Sequence, residues 1–222
     1  MVLPLIDGFG RVHRDLRISV TDRCNFRCGY CMPAEGLKWL PREELLTFEE
    51  IERVARLLVE RHGIDSIRLT GGEPTVRADL GRLVGMLSGL GVDLALTTNG
   101  ATLSSAAAVL ADAGLKRINV SLDSLRADRF KDLTLRDELG RVLEGIDAAL
   151  AAGLDPVKIN VVVMRGVNDD ELVDFARFGR DRGVVVRFIE FMPLDADEAW
   201  THESVVGVDE IVARVGEVFP LE

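Results

Sequence analysis

The residues best suited to chemistry in this sequence are three cysteines in one short segment. Cys24, Cys28 and Cys31 have the spacing Cys-x-x-x-Cys-x-x-Cys, and the 222 residues contain no other cysteine. An odd number of closely spaced thiols does not suit a disulfide framework, whereas thiolates bind zinc and iron–sulfur clusters. The segment therefore predicts a metal or iron–sulfur site.

Two other interpretations of this segment stay open from the residues alone. The spacing would also place all three cysteines on one helix face, where cysteine can simply fill a core, although Gly29 and Pro33 favour a loop. A structural zinc site usually has four Cys or His ligands, and the three histidines are not spaced as a partner pair. A [4Fe-4S] cluster normally has four thiolate ligands, so three would leave one iron open to a small molecule.

Tyr30, directly before the last cysteine, completes a motif that resembles the signature of radical S-adenosylmethionine (SAM) enzymes. The longer run of residues 15–33 is similar to the GTP 3′,8-cyclases, which begin molybdenum cofactor biosynthesis. The resemblance implies a [4Fe-4S] cluster on the three cysteines, SAM on its open iron, and a reductant protein. It further implies that SAM is split to a 5′-deoxyadenosyl radical, which removes the 3′ hydrogen of GTP before the ribose closes onto C8 of guanine. The sequence singles out no general acid or base.

Alternating strand and helix patterns must position these residues. Thr47 and Glu50 form the Thr-x-x-Glu of a capping box and so mark one helix start. The predicted strands cover residues 16–20, 66–70, 93–98, 116–122, 157–164 and 184–191. The predicted helices cover residues 51–62, 79–89, 104–113 and 138–152, a stretch capped near 168 that runs to about 182, and part of 205–222.

Six such βα units predict one α/β domain, residues 1–222, with a parallel sheet. The resemblance implies an incomplete (β/α)6 barrel of the radical SAM type with outer helices. By pattern alone, a doubly wound open sheet remains possible. Both layouts place ligands at the carboxyl ends of the strands.

The segment Gly71-Gly72-Glu73-Pro74 directly follows the second predicted strand. Two glycines allow the backbone to approach a ligand and present its amides, and Glu73 is suited to face a cationic group. A tight turn without a ligand is the ordinary alternative. The resemblance implies that this segment binds the amino group of SAM, with Gly72 as the contact.

Three basic residues, Arg17, Arg68 and Lys158, lie among apolar residues of different predicted strands. A single basic side chain usually reaches solvent or makes a surface ion pair, but unpaired charge in a buried strand is costly. Strand-end residues such as Asn99 and Asp123 often only satisfy turn backbone groups. The resemblance implies GTP contacts from Arg17, Arg68, Thr97 and Lys158, and SAM contacts from Tyr30, Gly72, Ser121 and Met192.

Composition limits the possible partners. The formal net charge of −10 argues against a broad nucleic-acid or membrane surface, since a long-range negative field repels polyanions, but it allows a local phosphate pocket. No apolar run approaches a membrane span, and the start of the chain lacks a signal-peptide pattern. We therefore expect a cytoplasmic protein without nucleic-acid or membrane partners.

The sequence also departs from the resembled cyclases. Their additional C-terminal region, with three more cysteines on a second [4Fe-4S] cluster, has no counterpart up to residue 222. This predicts cluster assembly and SAM binding with weak or absent GTP turnover, and exposed apolar surface that invites self-association, such as a homodimer. A radical SAM enzyme acting on another substrate, such as a peptide, and a non-catalytic iron–sulfur or zinc module remain as alternatives.

Overall fold

The computed structural model describes residues 2–33, 37–193 and 200–220, and its centre is a six-stranded parallel sheet. The strands follow chain order from one edge to the other, as β3-β4-β5-β6-β7-β8. They are β3 (Asp15–Ser19), β4 (Ser66–Thr70), β5 (Asp93–Thr98), β6 (Arg117–Ser121), β7 (Val157–Val163) and β8 (Val185–Glu190). A two-stranded antiparallel hairpin, β1 (Leu5–Ile6) and β2 (Val12–His13), precedes them.

Helices connect the strands and complete the βα units. They are α1 (Phe48–His62), α2 (Leu80–Ser88), α3 (Leu103–Asp112), α4 (Ala127–Thr134), α5 (Leu139–Ala151), α6 (Leu172–Arg182) and α7 (Val208–Gly216). A doubly wound sheet reverses its strand order at a switch point, and the order here runs in one direction only. The α/β prediction with an open (β/α)6 arrangement is therefore confirmed, and no β3–β8 pairing occurs among the described residues.

The sheet has one apolar face and one polar face, because side chains alternate along each strand. On the apolar face lie the fully buried Ile67, Leu94, Ile118 and Ile159, which pack against the helices as the core. The Val-rich β7 suggested a strand buried on both faces, and this was wrong: its buried residues alternate with partly exposed ones. The polar face of the sheet is therefore available to form a site.

Local signals placed most elements to within a few residues. The predicted capping box is present, since Thr47 and Glu50 bond each other's backbone amides at the start of α1. The expected cap at Asn168 was wrong, because its side chain makes no helix-cap bond and contacts β7 instead. Asn168 Oδ1 accepts from the Met164 amide, and Nδ2 donates to the carbonyl oxygens of Val162 and Asp123. Polar residues at strand ends thus join neighbouring strands as well as capping helices.

Sequence patterns missed the β1–β2 hairpin and α4. Each hairpin strand has only two residues, which is too short for a periodic signal. Helix α4 has eight residues, of which only Phe130 and Thr134 are buried. Helix α7 exposes two apolar side chains, with Val208 61% exposed and Val212 49%. None of the helices in residues 2–33, 37–193 and 200–220 has the length and apolar character needed to cross a membrane.

Helix α4 ends at a leucine whose backbone conformation is unfavourable for a residue with a side chain. Leu135 has φ +52° and ψ +31°, the left-handed region, where a side chain costs about 1–2 kcal/mol and glycine costs little. We expect Leu135→Gly to raise the free energy of unfolding by about 0.5–1 kcal/mol, measured by urea denaturation.

The matched control for this prediction is Leu57→Gly. Leu57 lies inside α1 and is as exposed as Leu135, at 52% against 47%. Glycine in a helix interior should lower stability by about 1 kcal/mol. Equal losses in both variants would show that Leu135 carries no backbone strain.

Candidate active site

The polar face of the sheet gathers the basic residues predicted from the sequence. Residues opposite each other in register point to the same face, and alternation carries that face along each strand. The three rows of register partners are Arg17–Arg68–Ala95–Arg117, Thr97–Asn119–Lys158 and Ser121–Asn160–Arg187. All four predicted GTP contacts therefore lie on one face, together with Ser121.

A cavity of about 640 Å³ lies over this face. Its polar lining consists of Arg17, Arg68, Thr70, Thr97, Asn160 and Arg187. Phe188, Ile189 and Met192 form its apolar part. The structure thus brings the predicted GTP contacts Arg17, Arg68 and Thr97 into the same space as the predicted SAM contact Met192.

Positive charge accumulates around the cavity with little local compensation. Burial and the neighbouring Arg17, Arg117 and Arg187 lower the pKa of Arg68. Burial and then Arg187, Arg117 and Arg68 likewise lower the pKa of Lys158, which places its ammonium group in the same cluster. Such crowding of like charges is costly unless an anion binds between them.

Most of these cations have no carboxylate partner in the described part of the chain. Arg117 is the exception, with an ion pair of 2.5 Å to Asp93. Arg68 Nε and Asn160 Oδ1 are buried and bond nothing in the structure, although both residues line the cavity. Buried polar atoms normally have partners. A ligand with anionic oxygens and hydrogen-bond donors would satisfy both atoms.

Three residues of this site were not predicted as ligand contacts. Arg187, Asn160 and Arg117 lie on the same face as Arg68 and Lys158. A signal was present, because each occupies an alternating position in its strand. Alternation alone, however, does not show which of the two faces lines a cavity.

A second cavity, of about 410 Å³, lies beside the segment before Cys24 and differs in character. Arg77 lines this cavity, donates to the carbonyl oxygens of Val20 and Leu46, and lies 4.5 Å from the centre of the Phe48 ring. Arg77 therefore already has partners, whereas Arg68 in the cavity over the sheet has a buried Nε atom that bonds nothing.

The cysteines lie in the loop after β3, as predicted. Cys24 and Cys28 are partly buried and Cys31 is exposed, and none forms a disulfide. The amides of Cys31 and Met32 both donate to the Cys28 carbonyl oxygen at 2.9 Å, which closes a tight turn. Within this cysteine turn, residues 28–32, the backbone is compact and not helical. The prediction of a loop is confirmed.

Thiol chemistry suits this turn to a cluster. Burial raises the pKa of each thiol; Cys31 further raises the pKa of Cys24, and Cys31 and Cys24 both raise the pKa of Cys28. Binding of iron would therefore displace protons from the thiols. No three His, Cys, Asp or Glu side chains in the described ranges converge closely enough to hold a single ion, and a four-iron cluster is wider than one ion.

The two glycines after β4 support the cysteine loop rather than face open space. The Gly72 amide donates to the Thr21 carbonyl oxygen and the Glu73 amide to the Arg23 carbonyl oxygen, each at 2.7 Å. A Cβ atom on Gly72 would lie 2.4 Å from the Asp22 carbonyl oxygen. The Gly72 and Glu73 amides are therefore bonded within the chain, contrary to the expectation that the amides of this turn face a ligand.

Glu73 also differs from its expected role. Its carboxylate is buried and accepts from the Thr98 hydroxyl at 2.7 Å, the Asn99 amide at 2.6 Å and both the amide and the hydroxyl of Thr75. Both carboxylate oxygens of Glu73 thus accept hydrogen bonds from the end of β5 or from the turn itself. Glu73 fixes the Gly-Gly turn against the next strand, and the cysteine loop rests on that turn.

Helix α4, which the sequence patterns missed, holds the opposite side of the cysteine loop. Phe26 packs edge-on against Phe130, with ring centres 5.8 Å apart. The Arg27 amide donates to the Thr134 carbonyl oxygen at 3.0 Å, and Arg136 Nε donates to the Asn25 carbonyl oxygen at 2.9 Å. The loop is therefore clamped between the turn after β4 and the end of α4.

The remaining predicted SAM contacts lie around this loop and the cavity. Tyr30 lies within the cysteine turn, and its hydroxyl donates to Asp123 Oδ2 at 2.6 Å. Ser121 ends β6 and is half-buried. Met192 is 52% exposed at the rim of the cavity. The cysteine loop, the Gly-Gly turn and the basic cavity thus share the carboxyl-terminal side of the sheet.

Comparison with known proteins agrees with this geometry. Residues 18–179 match the Radical SAM superfamily. The chain is 50% identical to the GTP 3′,8-cyclase of Rhodopirellula baltica over 220 residues, covering 98% of this chain and 61% of that protein. It is 52% identical to that of Acidothermus cellulolyticus, covering 100% and 63%, and 51% identical to that of Geobacter sulfurreducens, covering 99% and 68%.

Solved structures confirm the fold. Methylornithine synthase superimposes with a TM-score of 0.71 at 17% identity, covering 93% of this chain and 62% of that one. Streptococcus suis SuiB bound to S-adenosylmethionine gives 0.69 at 19% identity, covering 92% and 46%. The chain spans about three fifths of the length of the first curated relatives that it matches. It belongs to the radical SAM superfamily and, within it, to the family of the GTP 3′,8-cyclases.

Proposed function

We propose that this chain is the SAM-binding and nucleotide-binding core of a GTP 3′,8-cyclase, acting in molybdenum cofactor biosynthesis. The observation that carries the proposal is the cavity of about 640 Å³ in which Arg17, Arg68 and Arg187 have no carboxylate partner among the described residues. Three converging guanidinium groups suit a triphosphate, because each can donate two parallel hydrogen bonds to phosphate oxygens. Lys158 adds a fourth positive charge.

The residues present fit the cofactors of the family. Cys24, Cys28 and Cys31 would hold a [4Fe-4S] cluster, and Tyr30, Gly72, Ser121 and Met192 would contact SAM. When bound, the cluster and SAM supply a carbon radical that abstracts hydrogen, chemistry that no side chain here provides.

The chain's own residues bind and orient the substrate. The arginines and Lys158 neutralise the triphosphate, which fixes one end of GTP. Thr97 and Asn160, on the neighbouring rows, supply a hydroxyl group and an unpaired carbonyl oxygen for the ribose and base.

The surroundings of the enzyme form part of the proposal. A reductant protein delivers the electron, and the chain works in the cytoplasm, where thiols stay reduced. It acts on a small molecule and needs no nucleic acid or membrane. The exposed apolar residues of α7, Val208 and Val212, favour contact with a second copy.

Anaerobic reconstitution tests the proposed function. The full chain is loaded with iron and sulfide and reduced with SAM present, and 5′-deoxyadenosine is measured with and without GTP. We expect SAM cleavage that responds to GTP, with no cleavage in Cys28→Ser, because the cluster would lose a ligand.

Other outcomes select the alternatives. Cleavage that ignores GTP but responds to another substrate, such as a peptide, would support a different radical SAM enzyme. A colourless chain that binds zinc and ignores SAM would support a non-catalytic metal module. Cyclised GTP would show that these residues suffice for turnover.

A further inference from the structure

One buried carboxylate near the cysteine turn has no part in the site described above. Asp123 follows β6 and is only 5% exposed. Its Oδ1 accepts from the Val162 amide at 2.8 Å, and its Oδ2 accepts from the Tyr30 hydroxyl at 2.6 Å. A single side chain thus joins β7 to a residue that is 93 positions away in the sequence.

The position of Asp123 follows from the end of the β6–β7 pairing. The Leu122 amide donates to the Asn160 carbonyl oxygen as the last bond between the two strands' backbones. Beyond it the chain turns away from β7, and Asp123 Oδ1 takes the Val162 amide in place of a backbone oxygen. Asn168 Nδ2 donates to the backbone carbonyl oxygen of Asp123 at 2.7 Å. The carboxylate is therefore fixed from two sides before it meets Tyr30.

Tyr30 is the residue through which this anchor reaches the cysteines. It lies between Cys28 and Cys31, in the turn closed by the two amides on the Cys28 carbonyl oxygen. Its hydroxyl donates to Asp123 Oδ2 at 2.6 Å, so the hydrogen bond ties the middle of the turn to the carboxylate. A charge-assisted bond of this length is stronger than one between neutral groups.

We propose that Asp123 is a positioning residue that fixes Tyr30, and with it the cysteine turn, to strand β7, so that the turn is already ordered when SAM binds. The inference rests on the proposed function, since it takes Tyr30 as a SAM contact. The anchoring strand also carries Asn160 into the lining of the basic cavity and places Lys158 on the same face of the sheet. Asp123 therefore sets the distance between the SAM side and the substrate side of the site.

The link itself can be tested without cofactors. Tyr30→Phe removes only the hydroxyl group. Asp123→Asn keeps one acceptor oxygen for the Val162 amide, and its NH2 group can offer the Tyr30 oxygen only a neutral hydrogen bond in place of the charge-assisted one. We expect each variant to lower the urea midpoint of the full chain, and the double variant to lower it no further than the larger single effect. Additive shifts would overturn the link.

The positioning role is tested by SAM binding to the reconstituted chain. We expect iron content to stay as in the unmodified protein, while SAM affinity falls about tenfold in Tyr30→Phe and in Asp123→Asn. Affinity is measured by equilibrium dialysis and by the change that SAM causes in the electron paramagnetic resonance signal of the reduced cluster.

Ser124→Ala is the matched control. Ser124 is the next residue, is fully buried, and donates to Glu171 Oε1 at 2.8 Å, away from the cysteine turn. It should lose stability and keep SAM affinity. The proposal fails if Ser124→Ala weakens SAM as much, or if Asp123→Asn leaves SAM affinity unchanged. If the unmodified, iron-loaded chain does not bind SAM, the proposed function fails, and the unfolding cycle still decides whether Asp123 anchors Tyr30.

Discussion

Replacing Arg68 by methionine should weaken the binding of GTP by about 10- to 100-fold, the loss expected for a charge-assisted hydrogen-bonding group in a desolvated site. Arg68 lies in the cavity wall, and its Nε atom is buried without a partner. Methionine keeps much of the side-chain volume but removes all donors. Isothermal titration of the full chain with GTP and with inorganic triphosphate measures the effect.

The same substitution should make the ligand-free chain more stable. Burial, and then the neighbouring Arg17, Arg117 and Arg187, lower the pKa of Arg68, which means that its charge is disfavoured there. Removing it relieves repulsion that only a bound anion offsets, and we expect a gain on the order of 1 kcal/mol in the free energy of unfolding. A substitution that stabilises the free chain but weakens ligand binding indicates that the charge it removes serves the ligand.

Arg141→Met is the control for Arg68. Arg141 lies on α5 and forms an exposed ion pair of 3.0 Å with Glu138, and such surface pairs contribute little. Its variant should bind GTP normally and change stability by less than about 0.5 kcal/mol. Unchanged GTP affinity in Arg68→Met would show that the triphosphate does not bind in this cavity.

The second large effect is expected for Gly72→Ala, which should displace the cysteine loop. The added Cβ atom would lie 2.4 Å from the carbonyl oxygen of Asp22 and 2.5 Å from that of Arg23. Both are backbone atoms, so the clash cannot be relieved by a side-chain rotation. Moving the loop would also break the bonds from the Gly72 and Glu73 amides. We expect a loss of about 3 kcal/mol in stability and poor retention of iron.

Gly140→Ala provides the matched comparison. Gly140 lies in α5, and a Cβ atom there would meet nothing within 4 Å. The same change in covalent structure should therefore raise stability by about 0.5–1 kcal/mol, through helix propensity alone. Iron content after anaerobic reconstitution and urea denaturation measure both variants. Normal iron content in Gly72→Ala would mean that the turn after β4 does not hold the loop.

Local sequence patterns determined the parts of this protein that depend on neighbouring residues. Strands β4 and β5 have the predicted bounds, and the other four strands of the parallel sheet differ by one residue at one or both ends, because alternation and propensity act over short distances. The capping box of α1 is a contact between residues three apart. The cysteine motif likewise needed only its own spacing. Composition and pattern together sufficed for an α/β domain with a parallel sheet, whereas the incomplete (β/α)6 barrel was predicted from the family resemblance.

Only the tertiary structure decided which residues meet. Arg17, Arg68 and Lys158 were candidates from their unusual placement in strands, but their common face with Arg187 depends on the register of six strands. Glu73 was expected to face a cation, yet its carboxylate accepts hydrogen bonds from Thr98 and Asn99 at the end of β5. Such choices of partner involve groups far apart in the sequence, and no periodicity records them.

The link between Tyr30 and Asp123 shows the same division. Each residue stood out alone, one beside a cysteine and the other at a strand end, and the sequence indicated no relation between them. They meet because β6 parts from β7 at Leu122 and leaves a backbone amide that Asp123 must satisfy. The sequence alone determined the chemistry that these residues can perform. Chain packing decided where that chemistry is assembled, because burial forces each polar group to find a partner wherever the fold places one.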